Sequence, residues 1–227
     1  MASLSRERAG KNKYNPPRQV FSDSLYNIVK KFIAMAGMDI FYRFLKQLHP
    51  VSEGDWQLLS AGLCVQQVKE GTVLLPEGKV PRELFFICAG ILRLVKRTDE
   101  GEDITIFFLK ENRCATILGN YLEETPSPYV LEAVCDADVI VLHKEYLLRL
   151  YEKIPYLKSL IDQITRQGLL EKVLARNEYL GLDASERYRY FLQKEPDIVS
   201  RVPLSTIASF LGITQQSLSR IRKNGRL

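Results

Sequence analysis

The stretch Val202–Lys223, VPLSTIASFLGITQQSLSRIRK, predicts two short helices joined by a tight turn. The first helix is expected from about Leu204 to Leu211. Gly212 follows it, and glycine ends helices readily because it adopts a left-handed backbone conformation without strain. Thr214 then offers a side-chain oxygen as the N-cap of a second helix, from Gln215 to Lys223. The pattern therefore indicates a compact helix–turn–helix unit.

The apolar residues of this unit can share one small core: Ile207, Phe210, Leu211, Ile213, Leu218 and Ile221. The cap and the outer face of the second helix are polar or basic and include no acidic group: Thr214, Gln215, Gln216, Ser217, Ser219, Arg220 and Lys223. A helix in the major groove of DNA needs such a face, because its first turns meet base edges and phosphates. The alternative is a helical hairpin whose basic face docks a protein.

The run IASFLGITQQSLSRIRK, from Ile207 to Lys223, resembles the helix–turn–helix of the Crp/Fnr family of bacterial transcription regulators. The turn glycine, the cap and the apolar positions all match together. The resemblance implies a cytoplasmic homodimer that binds double-stranded DNA at an inverted repeat, with RNA polymerase as a further partner. The chain ends soon after Lys223, so the β-wing that follows the recognition helix in the family is not expected.

The charge of the chain is unevenly distributed. Residues 201–227 hold five basic groups and no acidic group, and residues 1–20 hold five basic groups and one acidic group. Since the whole chain carries +5, the remaining residues carry about −4. A basic end on an acidic body indicates a polyanionic partner at the C-terminus. No apolar run reaches the roughly 18 residues of a membrane span, so no membrane association is expected.

The cysteines and histidines of the chain give little support for a cofactor site or a catalytic site. The four cysteines, Cys64, Cys88, Cys114 and Cys135, are widely spaced and lie in or beside apolar segments, which predicts buried core thiols. The two histidines, His49 and His143, are too few for a histidine metal site or a catalytic set. We therefore expect no metal, no cofactor and no enzymatic activity.

The N-terminal residues 1–38 are predicted to be an extension. Residues 1–20 are polar and basic and are expected to be disordered. Apolar residues at helical spacing predict an amphipathic helix over residues 22–36: Leu25, Ile28, Val29, Phe32, Ile33 and Ala36. Gly37 is expected to end it before a second helix from Asp39 to Leu48. The apolar face is expected to pack against the body of the protein or a partner subunit, with binding to a membrane surface as the less favoured alternative.

Residues 39–154 are predicted to form a β-rich domain that begins with the helix from Asp39 to Leu48 and a further helix capped near Ser52. Short β-rich runs separated by glycine turns read as strands: 72–75, 84–88, 91–96, 103–109 and 137–142. Their regular spacing predicts a closed antiparallel barrel or a jelly roll, and the chain as a whole is α+β. The segment Leu84–Leu94, LFFICAGILRL, resembles the cyclic-nucleotide-binding barrel of the Crp/Fnr family, which implies a sensory role for this domain.

A long helix is predicted over residues 155–181, with an apolar stripe that drifts along it. A single domain cannot cover roughly 39 Å of helix, so the stripe predicts a parallel pair of helices in a dimer. Gly181 is expected to end this helix. Asp183 and Glu186 then have the spacing of a capping box for the first helix of a DNA-binding domain, residues 182–227.

The cassette segment, residues 116–133 (TILGNYLEETPSPYVLEA), aligns without a gap with the loop and short helix that bind cyclic nucleotide in the family. Ile117 stands where the resemblance places the glutamate that holds the ribose hydroxyl. Ser127 stands at the position of the arginine that pairs with the phosphate. The segment contains no lysine or arginine, and a buried phosphate needs charge-assisted donors. We therefore expect no cyclic-nucleotide binding.

Two alternatives remain for the β-rich domain. It binds a different, less anionic effector, or it only positions the dimer. The residues that could line an effector pocket are glycine or carry polar groups: Gly119, Asn120, Tyr121, Ser127 and Tyr129. Ordinary loop hydrogen bonding would account for the same residue types.

Overall fold

The computed structural model describes residues 23–224, with side chains from Asn27 onward. Helix α1 spans Asp23–Leu48 and passes through Gly37 without a break, so the prediction of a helix end at Gly37 is wrong. The glycine serves packing instead, because a Cβ atom added there would lie 3.3 Å from the Cys88 sulfur. The predicted disorder of residues 1–20 lies outside the described residues.

The chain divides into two units, Met1–Ile33 and Ala34–Leu227, with the boundary inside α1. In the first unit, Ile28, Val29 and Phe32 are exposed. All strands and all later helices belong to the second unit. Helix α2 spans Glu53–Ser60, and the predicted cap at Ser52 is present, since its hydroxyl accepts the N–H of Asp55 at 3.1 Å.

In the described residues, eight strands form two antiparallel sheets and not a closed barrel. Of the two predicted folds, the chain therefore adopts the jelly roll. The first sheet has the order β1–β8–β3–β6 and the second has the order β2–β7–β4–β5. The strands span Cys64–Val68 (β1), Val73–Leu75 (β2), Glu83–Ala89 (β3), Leu92–Arg97 (β4), Asp103–Leu109 (β5), Cys114–Ala115 (β6), Tyr129–Ala133 (β7) and Ala137–His143 (β8).

Five of these strands were predicted, and three were not. Strand β7 lies in the middle of the second sheet, between β2 and β4. It was missed because the cassette segment was interpreted as a loop with a short helix. Only its first part has that form: α3 spans Leu118–Glu123, and the chain then turns back through Glu124 into β7.

Helices cover the jelly roll and continue to the C-terminus of the described chain. They span Lys144–Lys153 (α4), Leu157–Asn177 (α5), Ala184–Lys194 (α6), Pro196–Arg201 (α7), Leu204–Leu211 (α8) and Gln215–Asn224 (α9). The predicted capping box is present at α6, where the Asp183 carboxylate accepts the N–H of Glu186 and the Glu186 carboxylate accepts the N–H of Asp183, each at 2.8 Å. Helix α7 was not predicted.

Three apolar cores hold the second unit together. The first joins α1, α2, α4 and the start of α5 to one sheet, and the second fills the space between the sheets. The third belongs to helices α6–α9, but Ile91 and Val134 of the jelly roll also enter it. The helix–turn–helix and the jelly roll therefore share a core. No helix in the described range has both the length and the apolarity that a bilayer crossing requires.

Candidate nucleic-acid interface and cassette segment

Helices α8 and α9 form the predicted helix–turn–helix; α8 has the predicted bounds, and α9 continues one residue beyond its predicted end, to Asn224. Gly212 ends α8 in the left-handed region, with φ of 68°. Thr214 caps α9, because its hydroxyl oxygen accepts the N–H of Ser217 at 3.1 Å. Leu218 is fully buried against α8 and fixes which face of α9 turns outward.

The outward face of α9 carries the residues that were predicted to meet DNA. Thr214, Gln215, Gln216, Arg220 and Lys223 are exposed. Two further members of the predicted set, Ser217 and Ser219, are half-buried beside them. Helix α9 carries no acidic residue beside these seven groups.

Two basic residues of the C-terminal segment lie in surroundings that the sequence analysis did not predict. Arg222 is exposed on α9, seven positions after Gln215 and so on the same helical line. The seven-residue spacing between Gln215 and Arg222 is the sequence signal that could have placed Arg222 on this face. Arg201 contributes to the basic count of the C-terminal segment, but its guanidinium binds both carboxylate oxygens of Glu111, at 2.6 and 3.1 Å. It is therefore engaged with the jelly roll.

The first part of the cassette segment has the expected loop and short helix, while its polar side chains bond the loop itself. Ser127 is only 2% exposed, and its hydroxyl oxygen accepts the N–H of Tyr129 at 2.9 Å. The Asn120 amide donates to the Thr125 hydroxyl and to the Pro126 carbonyl, at 3.0 and 2.9 Å. Both residues were candidates for an effector pocket, and both have polar groups occupied within the loop.

The remaining pocket candidates have different surroundings. Gly119 is exposed on α3. Tyr129 is half-buried against the core between the sheets. Tyr121 is buried, its hydroxyl has no hydrogen-bond partner among the described residues, and burial raises its pKa to about 12. Their role in effector binding stays a prediction.

The interior of the jelly roll is apolar at position 117, where the family resemblance places the glutamate that holds the ribose hydroxyl. Ile117 is 5% exposed and packs into the core between the sheets, with Leu131 and Ala133 of β7. Glu132 alternates with these two and lies on the opposite face of the sheet. There its carboxylate binds the Arg93 guanidinium at 2.6 Å. The acidic group of β7 is thus neutralised outside the interior.

A cleft of about 600 Å³ lies beside the cassette segment, between α4 and the loop before β3. Its lining includes Arg82, Lys144 and Arg149 together with acidic partners. Lys144 is already engaged, because its ammonium donates to the Tyr121 carbonyl at 2.6 Å and pairs with Glu124 at 2.8 Å. None of the five predicted pocket residues lines this cleft.

The cysteines are less uniformly buried than predicted. Cys88 is buried, Cys114 and Cys135 are half-buried, and Cys64 is exposed on strand β1, so the prediction is wrong for Cys64. Cys64 is exposed because β1 is an edge strand of the first sheet. Burial raises the pKa of the Cys88 and Cys114 thiols to about 12. Within residues 28–224, no three metal-ligating side chains come together.

Comparison with known proteins identifies the β-rich part of the chain. The family model for the cyclic nucleotide-binding domain matches residues 65–154. Among curated proteins, none matches the chain significantly.

Solved structures match over most of the chain. A Crp/Fnr-family transcriptional regulator from Eubacterium rectale is 19% identical, with 78% of this chain and 84% of that one covered and a TM-score of 0.61. The cyclic-di-GMP-responsive regulator CLP from Xanthomonas campestris is 16% identical, with 77% and 92% covered and a TM-score of 0.62. FixK2 from Bradyrhizobium japonicum is 18% identical, with 71% and 83% covered and a TM-score of 0.59. Residues 65–154 therefore match the cyclic nucleotide-binding domain family, and the chain has the fold of the Crp/Fnr-family transcriptional regulators.

Proposed function

We propose that this protein is a sequence-specific DNA-binding transcription regulator that acts as a homodimer on an inverted repeat. The observation that carries the proposal is the outer face of α9, where Gln215, Gln216 and Arg220 are exposed beside Lys223. Arginine can bond both acceptors of guanine, and glutamine can bond the donor and acceptor of adenine. Phosphate contacts supply much of the affinity, and these three side chains supply the choice of sequence.

The dimer is proposed from the second half of α5. Its apolar residues Leu169, Leu170, Val173 and Leu174 are between 49% and 57% exposed, whereas Leu157 and Leu160 in the first half are buried in the protomer's own core. A second α5 packed in parallel against the exposed stripe would remove it from water. Two copies of α9 about 34 Å apart would then meet half-sites one DNA turn apart.

Cyclic nucleotide is not the proposed effector. Its phosphate would need a cationic partner, and Ser127 offers only a hydroxyl that already bonds the backbone of Tyr129. Ile117 offers no polar group to the ribose. A less anionic effector, or a jelly roll that only positions the dimer, fits these residues better.

The test begins with selection of bound sequences from a random DNA pool. We expect an inverted repeat. Arg220→Ala should lower affinity for the selected site by about 1–3 kcal/mol and relax one base position in each half-site. Lys223→Ala should weaken all sequences alike and reduce the dependence on salt, since it meets phosphate. Arg149→Ala, which removes an exposed arginine from α4, is the matched control.

Two results would contradict the proposal. Equal losses on selected and scrambled DNA for Arg220→Ala would show that Arg220 touches only the backbone. A wild-type protein that cannot distinguish the two DNAs would favour the alternative, in which the α8–α9 hairpin docks a protein.

A further inference from the structure

The outer edge of strand β5 is capped by a side chain of the helix–turn–helix. Strand β5 is the last strand of its sheet, so a strand neighbour occupies only one of its edges. Ser209 of α8 lies against the other edge. Its hydroxyl oxygen accepts the N–H of Thr105 at 2.9 Å, and its hydroxyl donates to the carbonyl of Asp103 at 2.7 Å. One serine thus bonds the two backbone groups that a further strand would pair.

Two residues directly after β5 form ion pairs that also connect the jelly roll to the C-terminal helices. Both carboxylate oxygens of Glu111 bind the Arg201 guanidinium, and Glu111 also accepts the N–H of Gly90 at 2.8 Å. Burial opposes ionisation of Glu111, but these hydrogen bonds outweigh it, so the pKa of its carboxyl is lowered. Lys110 pairs with Glu195 at 2.5 Å.

Strand β5, which Ser209 bonds, is also held by other side-chain contacts. The Arg93 guanidinium donates to the Thr105 hydroxyl at 3.1 Å and pairs with Glu132 at 2.6 Å. Phe108 of β5 packs against Phe210 with ring centroids 5.2 Å apart. Ser209 therefore bonds a segment that Arg93 of the neighbouring strand β4 holds in place, and Arg93 is itself paired with Glu132 of β7.

A continuous set of packed contacts runs from α5 to α9. The start of α5 is buried in the first core, and Glu171 of α5 pairs with Arg113 of the jelly roll at 3.1 Å. Helix α8 joins the jelly roll through Ser209, and α8 shares its core with α9 through Leu211 and Leu218. The covalent link between α5 and α6 includes Gly181 with φ of 81°.

We propose that Ser209 is a positioning residue that fixes the direction of α9 relative to α5, so that the contact between α8 and β5 sets the spacing of the two half-sites. The inference rests on the proposed function, since it concerns the same DNA-binding surface. One inserted base pair moves a half-site by about 3.4 Å and rotates it by about 35°. Two recognition helices held rigidly by their jelly rolls cannot follow that change, whereas loosely held ones can.

The experiment compares affinities for three DNAs: the selected inverted repeat, the same repeat with one inserted base pair, and a single half-site. Ser209→Ala should lower the ratio of the first two affinities by about three- to tenfold for each of the two hydrogen bonds that it removes, and leave the single half-site unchanged. Ser209→Thr keeps the hydroxyl and should restore the ratio. Ser200→Ala is the control, because the Ser200 hydroxyl bonds Asp197 in its own helix.

A second variant guards against a folding defect. Glu111→Gln weakens the pair with Arg201 without altering α8, and it should lower the spacing ratio in the same direction. Unchanged thermal melting of the variants separates positioning from stability. An unchanged ratio in Ser209→Ala would overturn the inference alone. Tighter operator binding by Ser209→Ala would also overturn it, because the contact would then be inhibitory. A wild type indifferent to inverted repeats would overturn the proposed function and the inference with it.

Discussion

The helix–turn–helix and the cassette segment use their polar side chains in opposite ways. On α9, Gln215, Gln216 and Arg220 are exposed, and the apolar side of the helix holds them outward. In the cassette segment, Ser127 and Asn120 direct their polar groups into the loop that carries them. One region exposes its hydrogen-bonding groups to solvent, and the other uses them to hold its own backbone.

The difference shows that a backbone can be kept when the chemistry of its site is not. Residues 65–154 keep the fold of a cyclic nucleotide-binding domain, yet Ile117 joins the apolar core between the sheets. Fold is set mainly by apolar pattern and turns, and both survive such replacements. Function depends on a few polar groups, so it has to be argued from those groups at each site.

The largest effect is expected at the exposed apolar stripe of α5, through which a dimer would bring the two copies of the helix–turn–helix together. Leu170→Glu should raise the dimer dissociation constant by about 100-fold or more, because an unpaired charge buried in an interface costs several kcal/mol. Analytical ultracentrifugation at micromolar concentration measures this. Ala175→Glu adds the same charge on the opposite side of α5, at an exposed position, and should leave the dimer intact. A monomeric wild type would contradict the proposed dimer.

A second substitution tests whether the cassette segment is a closed core or a site. Ile117→Glu should lower the free energy of unfolding by about 3 kcal/mol or more, because it removes a buried apolar side chain and puts a carboxyl in its place. Leu122→Glu, at an exposed leucine of α3, is the matched control and should cost little. Chemical denaturation measures both. A small loss for Ile117→Glu would mean that the interior accommodates polar groups, and the contrast with α9 would fail.

Short-range rules predicted the C-terminal part of the fold well. Helices α8 and α9, the glycine end of α8, the Thr214 cap and the capping box at Asp183 all follow from residues within one turn of each other. Periodicity and turn glycines likewise located five strands. These features depend on local chemistry, which a single sequence contains.

Features that depend on distant partners could not be predicted in the same way. Gly37 was taken for a helix end, but Cys88 explains why that position lacks a side chain. Glu132 of the cassette segment lies on the outer face of its sheet and pairs with Arg93, a contact that no local pattern indicates. Arg201 was counted as a free basic group and instead binds Glu111. In each case the partner lies far away in sequence.

A smaller effect is expected at the cap that orders the recognition helix. Thr214→Ala should destabilise the first turn of α9 by about 1 kcal/mol, because the N–H of Ser217 loses its acceptor. Faster hydrogen exchange of the Ser217 and Leu218 amides, measured without DNA, would report the loss. Thr214→Ser keeps the oxygen and should exchange like the wild type. Equal exchange in Thr214→Ala would show that the cap does not order α9.

The smallest expected effect is that of cyclic nucleotides themselves. A cyclic phosphate entering the jelly roll would meet Ile117 and the hydroxyl of Ser127, which already bonds Tyr129. Strand β4, which pairs with β7, carries the half-buried guanidinium of Arg93, but this group lies on the opposite face of the sheet with Glu132. The desolvation of the phosphate would therefore go uncompensated.

Isothermal calorimetry with cyclic AMP and cyclic GMP should accordingly show no saturable heat at concentrations that would fill a micromolar site, and operator affinity should not change when either nucleotide is added. A micromolar dissociation constant would contradict the contrast between the two regions. Arg93→Met would then identify the cause, because binding lost in that variant would mean that Arg93 leaves Glu132 to hold the phosphate, whereas binding kept would place the anion elsewhere in the domain.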